Sequence, residues 1–471
     1  MNAPLPPAPI PIEPAPECPS FRTALAAWLE IGLLSFGGPA AQIAVMHRVI
    51  VDRHRWLNDE AFFRGLNFCL LLPGPEAHQL VTWLGYRLHG WKGGLTAGLL
   101  FILPGAALMQ LLALTYAASQ QTPALAAWMF GLRAAVVVLV GQALVRMGRK
   151  LLTRPALVLL AVAGFLAMLA GVPYPVVMLT AALVGIALPA PASATTTPSS
   201  PASTDNIPAN ETVAAPAGWS ARRFAFRFVC VLVLGLFIWW LPVAVLALWL
   251  GPEHHLVQMG LFFGKLAVVS FGGAYAVLSW LQQAAVADLG WLTTTQMADG
   301  LGLAETTPGP LILVTQFVGT IAAWNQPAPF SPLVAGLLGG GVTLWTTFTP
   351  SFLWIFLAGP AINRIRPGSW SARALAGISA AVVGVIAVLA LTLARETFFP
   401  LAAAALGAPS ADSVSRGTIG LVPVAWGRAF DLGALLVAGL TGAILVRFPN
   451  RLFVALAVAV IIGAFVVGLG R

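Results

Sequence analysis

The residues of this 471-residue chain best suited to chemistry are two glycine pairs and two proline–glycine–proline triplets. The pairs lie in Ser35-Phe36-Gly37-Gly38-Pro39 and in Ser270-Phe271-Gly272-Gly273-Ala274, each inside an apolar segment. A glycine lowers helix stability by about 1 kcal/mol relative to alanine, and Pro39 lacks an amide donor. A helix broken there frees backbone N–H groups, and the helix that resumes turns its positive end toward the gap. That arrangement holds anions. In hydrocarbon each unsatisfied backbone group costs several kcal/mol, so the break persists only where protein or water shields it. A single copy is more simply read as a close helix contact. Two copies favour a function.

The triplets Pro73-Gly74-Pro75 and Pro308-Gly309-Pro310 also cannot continue a regular helix. Each splits its segment into two short helices, and polar residues flank both: Glu76, His78 and Gln79, then Glu305, Thr306, Thr307 and Gln316. Four breaks converging near one plane would offer N–H groups together with the hydroxyls of Ser35, Ser270, Thr306 and Thr307. A tetrahedral oxyanion suits that cage, since every oxygen accepts hydrogen bonds. Ionisable residues inside membrane spans are also candidates. Glu30 and Lys265 hold equivalent places, and are expected to pair or to leave Lys265 attracting an anion. Glu76 and Glu305 are candidates for binding a coupling proton, and Arg133 for facing the anion. The plainer reading of each is snorkelling or a structural pair. His78 reads as a packing residue, because no second histidine stands at metal-ligand spacing.

The composition places the elements that carry these breaks in a bilayer. Hydrophobic residues make up 59% of the chain and charged residues 9%, against about 25% charged in soluble domains. The formal charge of +9 comes from Lys and Arg in short loops between apolar runs. That pattern marks the cytoplasmic side of a membrane protein and not a nucleic-acid partner. Cys18, Cys69 and Cys230 are isolated and imply neither a disulfide framework nor a metal site. No phosphate-binding loop, dinucleotide fingerprint or nucleophile–base pair occurs, so no cofactor and no enzymatic activity are expected. Residues 1–20 read as a disordered, proline-rich tail without signal-peptide features. The first membrane helix would then act as the insertion signal.

A shift of 235 positions lays Ser35-Phe36-Gly37-Gly38 on Ser270-Phe271-Gly272-Gly273, Trp56-Leu57 on Trp291-Leu292, and Pro73-Gly74-Pro75 on Pro308-Gly309-Pro310. A shift of 246 then aligns the stretch from Gly131 with that from Gly377. The chain is therefore an all-α membrane protein of two homologous halves, a common plan of secondary transporters. The halves run over 21–190 and 251–471. A flexible linker, 191–222, and a connecting membrane helix, 223–250, lie between them. Apolar runs at 21–47, 60–90, 93–118, 124–147, 155–171, 174–190, 223–250, 256–283, 296–323, 331–358, 372–394, 430–447 and 450–470 predict about thirteen membrane segments. The unmatched helix 223–250 makes the second half enter inverted. Basic loops at 146–154, at Arg364 and Arg366, and at Arg447 and Arg451 then put the N-terminus in the cytoplasm and the C-terminus outside. The loop with Arg48, Arg53 and Arg55 conflicts with thirteen full spans. It agrees if the first two segments of each half are re-entrant hairpins, and both readings stay open.

The stretches SFGGPAAQIAVMHR (35–48), LLPGPEAHQL (71–80), SFGGAYAVL (270–278) and AETTPGPLILVTQFVG (304–319) resemble the chromate ion transporter family in its long, two-domain bacterial form. The resemblance covers nearly the whole chain outside the tail and linker. It implies export of chromate across the inner membrane, chromate resistance, and sulfate as a competitor. It leaves the coupling ion and an oligomeric state open. The expected partners are chromate and the lipid bilayer. A transporter of another oxyanion, such as sulfate, is the alternative, because these ions share size and charge.

Overall fold

The computed structural model describes residues 19–120, 122–188, 221–271, 274–359, 370–399, 430–448 and 451–470. The expected tail and linker, Gly272, Gly273, Arg364 and Arg366 lie outside them. Every regular element among the described residues is a helix. The first half holds α1 (Phe21–Leu34), α2 (Gly38–His47), α3 (Asp59–Cys69), α4 (Glu76–Ser119), α5 (Pro123–Leu151), α6 (Pro155–Leu169) and α7 (Tyr174–Ala187). Next comes α8 (Ala221–Leu250). The second half holds α9 (His255–Val269), α10 (Ala274–Gln282), α11 (Thr294–Thr306), α12 (Val314–Asn325), α13 (Pro332–Ala358), α14 (Trp370–Phe398), α15 (Leu432–Arg447) and α16 (Leu452–Gly470).

The repeat extends to fine detail. α2 continues as a π-helical turn over Arg48–Arg53, and α10 does so over Gln283–Asp288, the same places in the repeat. Asn58 caps α3 by accepting from the Ala61 amide, and Thr293, its equivalent, caps α11 by accepting from the Gln296 amide. Such caps satisfy amides that have no partner inside the helix.

α4 is not one rod. His89 and Gly90 leave helical geometry, with Gly90 at φ 61°. The arm 76–88 folds back on the arm 91–119, and Gly85 lies so close to Gly93 and Ala97 that a Cβ has no room there. α12 and α13 form the equivalent hairpin, with Gly319 against Thr343 and Gly339.

Thirteen apolar runs therefore do not become thirteen crossing helices. Five helices among the described residues have the length and composition to cross a membrane: α4, α5, α8, α13 and α14. The run 21–47 is divided at its glycine pair, and within the run 256–283 α9 ends at Val269 and α10 begins at Ala274. α1, with 14 residues, is only about 21 Å long, short of the roughly 30 Å hydrocarbon layer. The rings of Phe21 and Trp28 pack on His89, while Gly32 abuts the Leu100–Phe101 backbone. So α1 begins level with the α4 turn and stops about midway along the second arm. α3 runs beside the first arm, with Gly65 on the Trp83 ring.

The second half repeats this from the opposite end of the body. His255 packs on Trp291, Gly300 sits on Phe317, and Gln296 at the start of α11 donates to Gln120 at the far end of α4. Packing between the halves is reciprocal. Gly131 of α5 lies against Ala459 and Gly463 of α16, and its equivalent Gly377 of α14 lies against Ala181 and Gly185 of α7. Small residues let these backbones approach closely where no hydrophobic force drives association.

Asp52 and Ala287 are exposed equivalents in the two π-helical turns. Cysteine in place of each, in a chain lacking Cys18, Cys69 and Cys230, is expected to react with membrane-impermeant maleimide from opposite sides of the membrane. Reaction of both from one side would remove the two-ended arrangement.

Candidate functional site

At the first break α1 ends at Leu34 and α2 begins at Gly38, with Gly37 and Gly38 both near φ 80° (81° and 82°). That left-handed conformation favours glycine. Gly74 and Gly309, at φ 128° and 90°, have the same requirement. The breaks of one half meet those of the other. The Gly309 amide donates to the Ser35 carbonyl at 2.7 Å, and the Gly74 amide donates to the Ser270 carbonyl at 2.9 Å. These are one contact made twice, related by the repeat.

That contact corrects part of the sequence expectation. The amides of Gly74 and Gly309 serve the opposite half and are not offered to an anion. The hydroxyls are also engaged. Ser35 donates to the Ile31 carbonyl at 2.6 Å, Ser270 to Ala267 at 2.9 Å, Thr306 to Leu303 at 2.8 Å and Thr307 to Ala304 at 3.0 Å. Each stands at a helix C-terminus, where the last carbonyls lack intrahelical partners. The prolines shape the tips. The Pro73 carbonyl accepts from Gln79 at 2.6 Å, Pro75 precedes α4, Pro308 abuts Gly105, and Pro310 precedes the 3-10 turn Leu311–Leu313. Gln42 donates to the Gly309 carbonyl at 2.6 Å, a contact the sequence did not signal.

A cavity of about 1730 Å³ reaches this junction. Gly37, Gly38, Gly74, Glu76, Tyr275 and Glu305 line it. The start of α2 carries no side-chain cap, so its first-turn amides and positive end remain for a ligand. The Tyr275 hydroxyl donates to the buried Glu305 carboxylate at 3.0 Å. The outer part of the cavity is basic: Arg48, Arg146 and Lys150 are exposed, and Arg154 and Arg373 also line it. Glu76 and Glu305 are the acidic residues among the lining. Walls of one sign concentrate ions of the other.

Arg146 and Lys150, which by sequence alone serve to orient the chain, are brought by the fold into the cavity wall. Their i, i+4 spacing after Gln142, another lining residue, was the available signal that they share a face. The remaining candidates lie elsewhere. Glu30 pairs with Arg53 and not with Lys265, which is exposed on α9. The π-helical turn brings Arg53 back to α1, and Asp288 holds the place equivalent to Arg53. The repeat therefore carries this pair of positions with exchanged sign. Arg133 does not line the cavity. Its Nε donates to the Asp299 carboxylate at 2.6 Å, and the Tyr116 hydroxyl donates to the same carboxylate at 2.8 Å. His78 is buried among the rings of Phe101, Phe348 and Phe352. Gln316 donates to Gln110 and to the Ala106 carbonyl.

The family model described as "Chromate transporter" matches residues 23–186 and 257–469. The chain is 30% identical to the chromate transport protein of Pseudomonas aeruginosa, over 93% of this chain and 95% of that protein. It is 26% identical to the probable chromate transport protein of Synechococcus elongatus, over 79% of this chain and 84% of that one. It is 25% identical to the chromate transport protein of Cupriavidus metallidurans, over 86% and 91%. No solved structure matches this chain.

A Cβ on Gly74 would lie 2.7 Å from both Gln79 Nε2 and Ser351 Oγ, and one on Gly309 would lie 3.2 Å from Leu313. Gly74→Ala and Gly309→Ala are expected to destabilise the protein by about 1–3 kcal/mol each, the usual cost of a strained backbone position. Gly141→Ala, in open helical space, serves as the control. Thermal unfolding in detergent measures the difference; equal midpoints for all three would contradict the strained crossing.

Proposed function

Because this chain belongs to the chromate transporter family, we propose that it carries chromate out of the cytoplasm across the bacterial inner membrane. The observation that carries this reading is the basic cavity that reaches the uncapped N-terminus of α2. Arg48, Arg146, Lys150, Arg154 and Arg373 attract the dianion, and the first-turn amides of α2 receive it at the junction of the two halves. The halves have inverted orientation, with the N-terminus cytoplasmic and the C-terminus external. The first two segments of each half are hairpins that enter the bilayer and return. On this topology Arg53, Arg87, Lys92, Arg146, Lys150, Arg447 and Arg451 all lie on the cytoplasmic side, as the positive-inside rule requires.

The direction follows from charge. A unit charge crossing the membrane gains about 2.3 kcal/mol per 100 mV, so two negative charges leaving a negative interior gain about 4.6 kcal/mol. Each 1.4 kcal/mol is about tenfold in concentration, so the potential alone drives export over a thousandfold gradient and yields resistance. The Glu305–Tyr275 pair beside the cavity is the place where a coupling proton would bind. Sulfate, with the same shape and charge, competes for the site.

Inverted vesicles holding the protein are expected to take up labelled chromate when energised, and excess sulfate is expected to reduce the uptake. Arg146→Gln combined with Lys150→Gln is expected to raise KM about tenfold with little change in the maximal rate, and to weaken the dependence on ionic strength. No uptake in vesicles containing folded protein would discard chromate and leave other oxyanions to be screened. An unchanged KM would remove the role of the basic mouth.

A further inference from the structure

The two halves repeat in sequence and in element order, yet they pack differently against their partners. α11 packs on α5 of the other half, with Gly302 set against Leu132 and Val136. The equivalent of α11 is α3 and the equivalent of α5 is α14. These two do not close on each other: Leu66, Cys69 and Leu70 at the end of α3, and Arg373, Ala376 and Ser379 of α14, line the cavity. The same interface is therefore closed at one end of the molecule and open at the other.

The closed interface contains the Arg133–Asp299 ion pair at 2.6 Å. Asp299 is 2% exposed, and Tyr116 supplies its second hydrogen bond. The equivalents of Asp299 and Arg133 are Arg64 and Ser379. Arg64 pairs with Glu60 on its own helix, and Ser379 faces the cavity. The pair thus occurs only at the closed end. Arg133 lies outside the cavity lining, so anion binding does not explain it. A buried carboxylate separated from its cation is strongly disfavoured, which makes such a pair a discrete catch and not a gradual restraint.

We propose that Arg133, Asp299 and Tyr116 form the latch of an outer gate, and that transport proceeds by exchange of packing between the halves. In the outward-open state α3 closes on α14, α11 parts from α5, and the Arg133–Asp299 pair opens to water. Inverted repeats supply two such states, because each half can adopt the packing now held by the other. This inference rests on the transport reading, but cysteine reactivity tests it without the substrate.

Leu132→Cys with Gly302→Cys places two thiols across the α5–α11 interface. Joined by a disulfide or a short bis-thiol reagent, they are expected to abolish chromate transport, with recovery on reduction. An engineered cysteine in place of Ala376, which lines the cavity, should stay reactive from the cytoplasmic side in the linked protein. Full transport by the linked protein would overturn the gate. In unlinked protein, Asp299→Asn is expected to shift the inward–outward ratio about tenfold toward the outward state, as about 1.4 kcal/mol gives, and so to slow modification at position 376. Unchanged modification in folded protein would overturn the latch while leaving the transport reading intact. Absence of chromate transport by the reduced protein, with gated reactivity retained, would instead count against the substrate.

Discussion

Backbone polar groups have no partner in hydrocarbon, and every break in a membrane helix must answer that constraint. This chain answers it by pairing breaks across its two halves. The amide of Gly309 meets the carbonyl of Ser35, and the amide of Gly74 meets the carbonyl of Ser270. Neither half can satisfy its own tips in this way, so the short helices depend on the presence of both. The neighbouring hydroxyls complete the task by returning to carbonyls at their own helix ends. Glycine at Gly74 and Gly309 is then a requirement of backbone geometry, since both hold positive φ and have little or no space for a side chain.

The same constraint determines which groups face a ligand. Amides used in the crossing are unavailable, and the start of α2 is left as the exposed positive end. Duplication of a motif does not by itself duplicate its surroundings. Glu305 and Tyr275 stand at places held in the first half by Leu70 and Ala40, so the chemistry beside the junction is asymmetric. The basic mouth is asymmetric too: Arg48, Arg146, Lys150, Arg154 and Arg373 gather at one end. Packing in the structure is closed around Asp299 and open around Ser379.

Hydropathy and the 235-residue offset were sufficient for the helical class, the duplication and the location of the breaks, because burial in lipid leaves a composition signal and repetition leaves an alignment. The family resemblance of the motifs agrees with the family match across both halves. Arg133 shows where this kind of reading stopped. Its position in an apolar run marks it as unusual, but Asp299 lies 166 residues further along the chain, and no local pattern joins them. Glu30 and Lys265 hold equivalent places in the repeat, yet Glu30 pairs with Arg53. Equivalence in a repeat places residues symmetrically, which is not the same as placing them together.

What the sequence determined by itself was the membrane class, the two halves, the breaks at Gly37-Gly38 and at the two proline–glycine–proline triplets, and the family, since each is written in composition or in spacing along the chain. What tertiary structure alone decided was how those breaks are satisfied and which groups remain free. Apolar run length could not distinguish a crossing helix from two short helices meeting a partner halfway. That distinction depends on hydrogen bonds between the halves, and partners so distant in sequence become neighbours only when the backbone has to be satisfied without water.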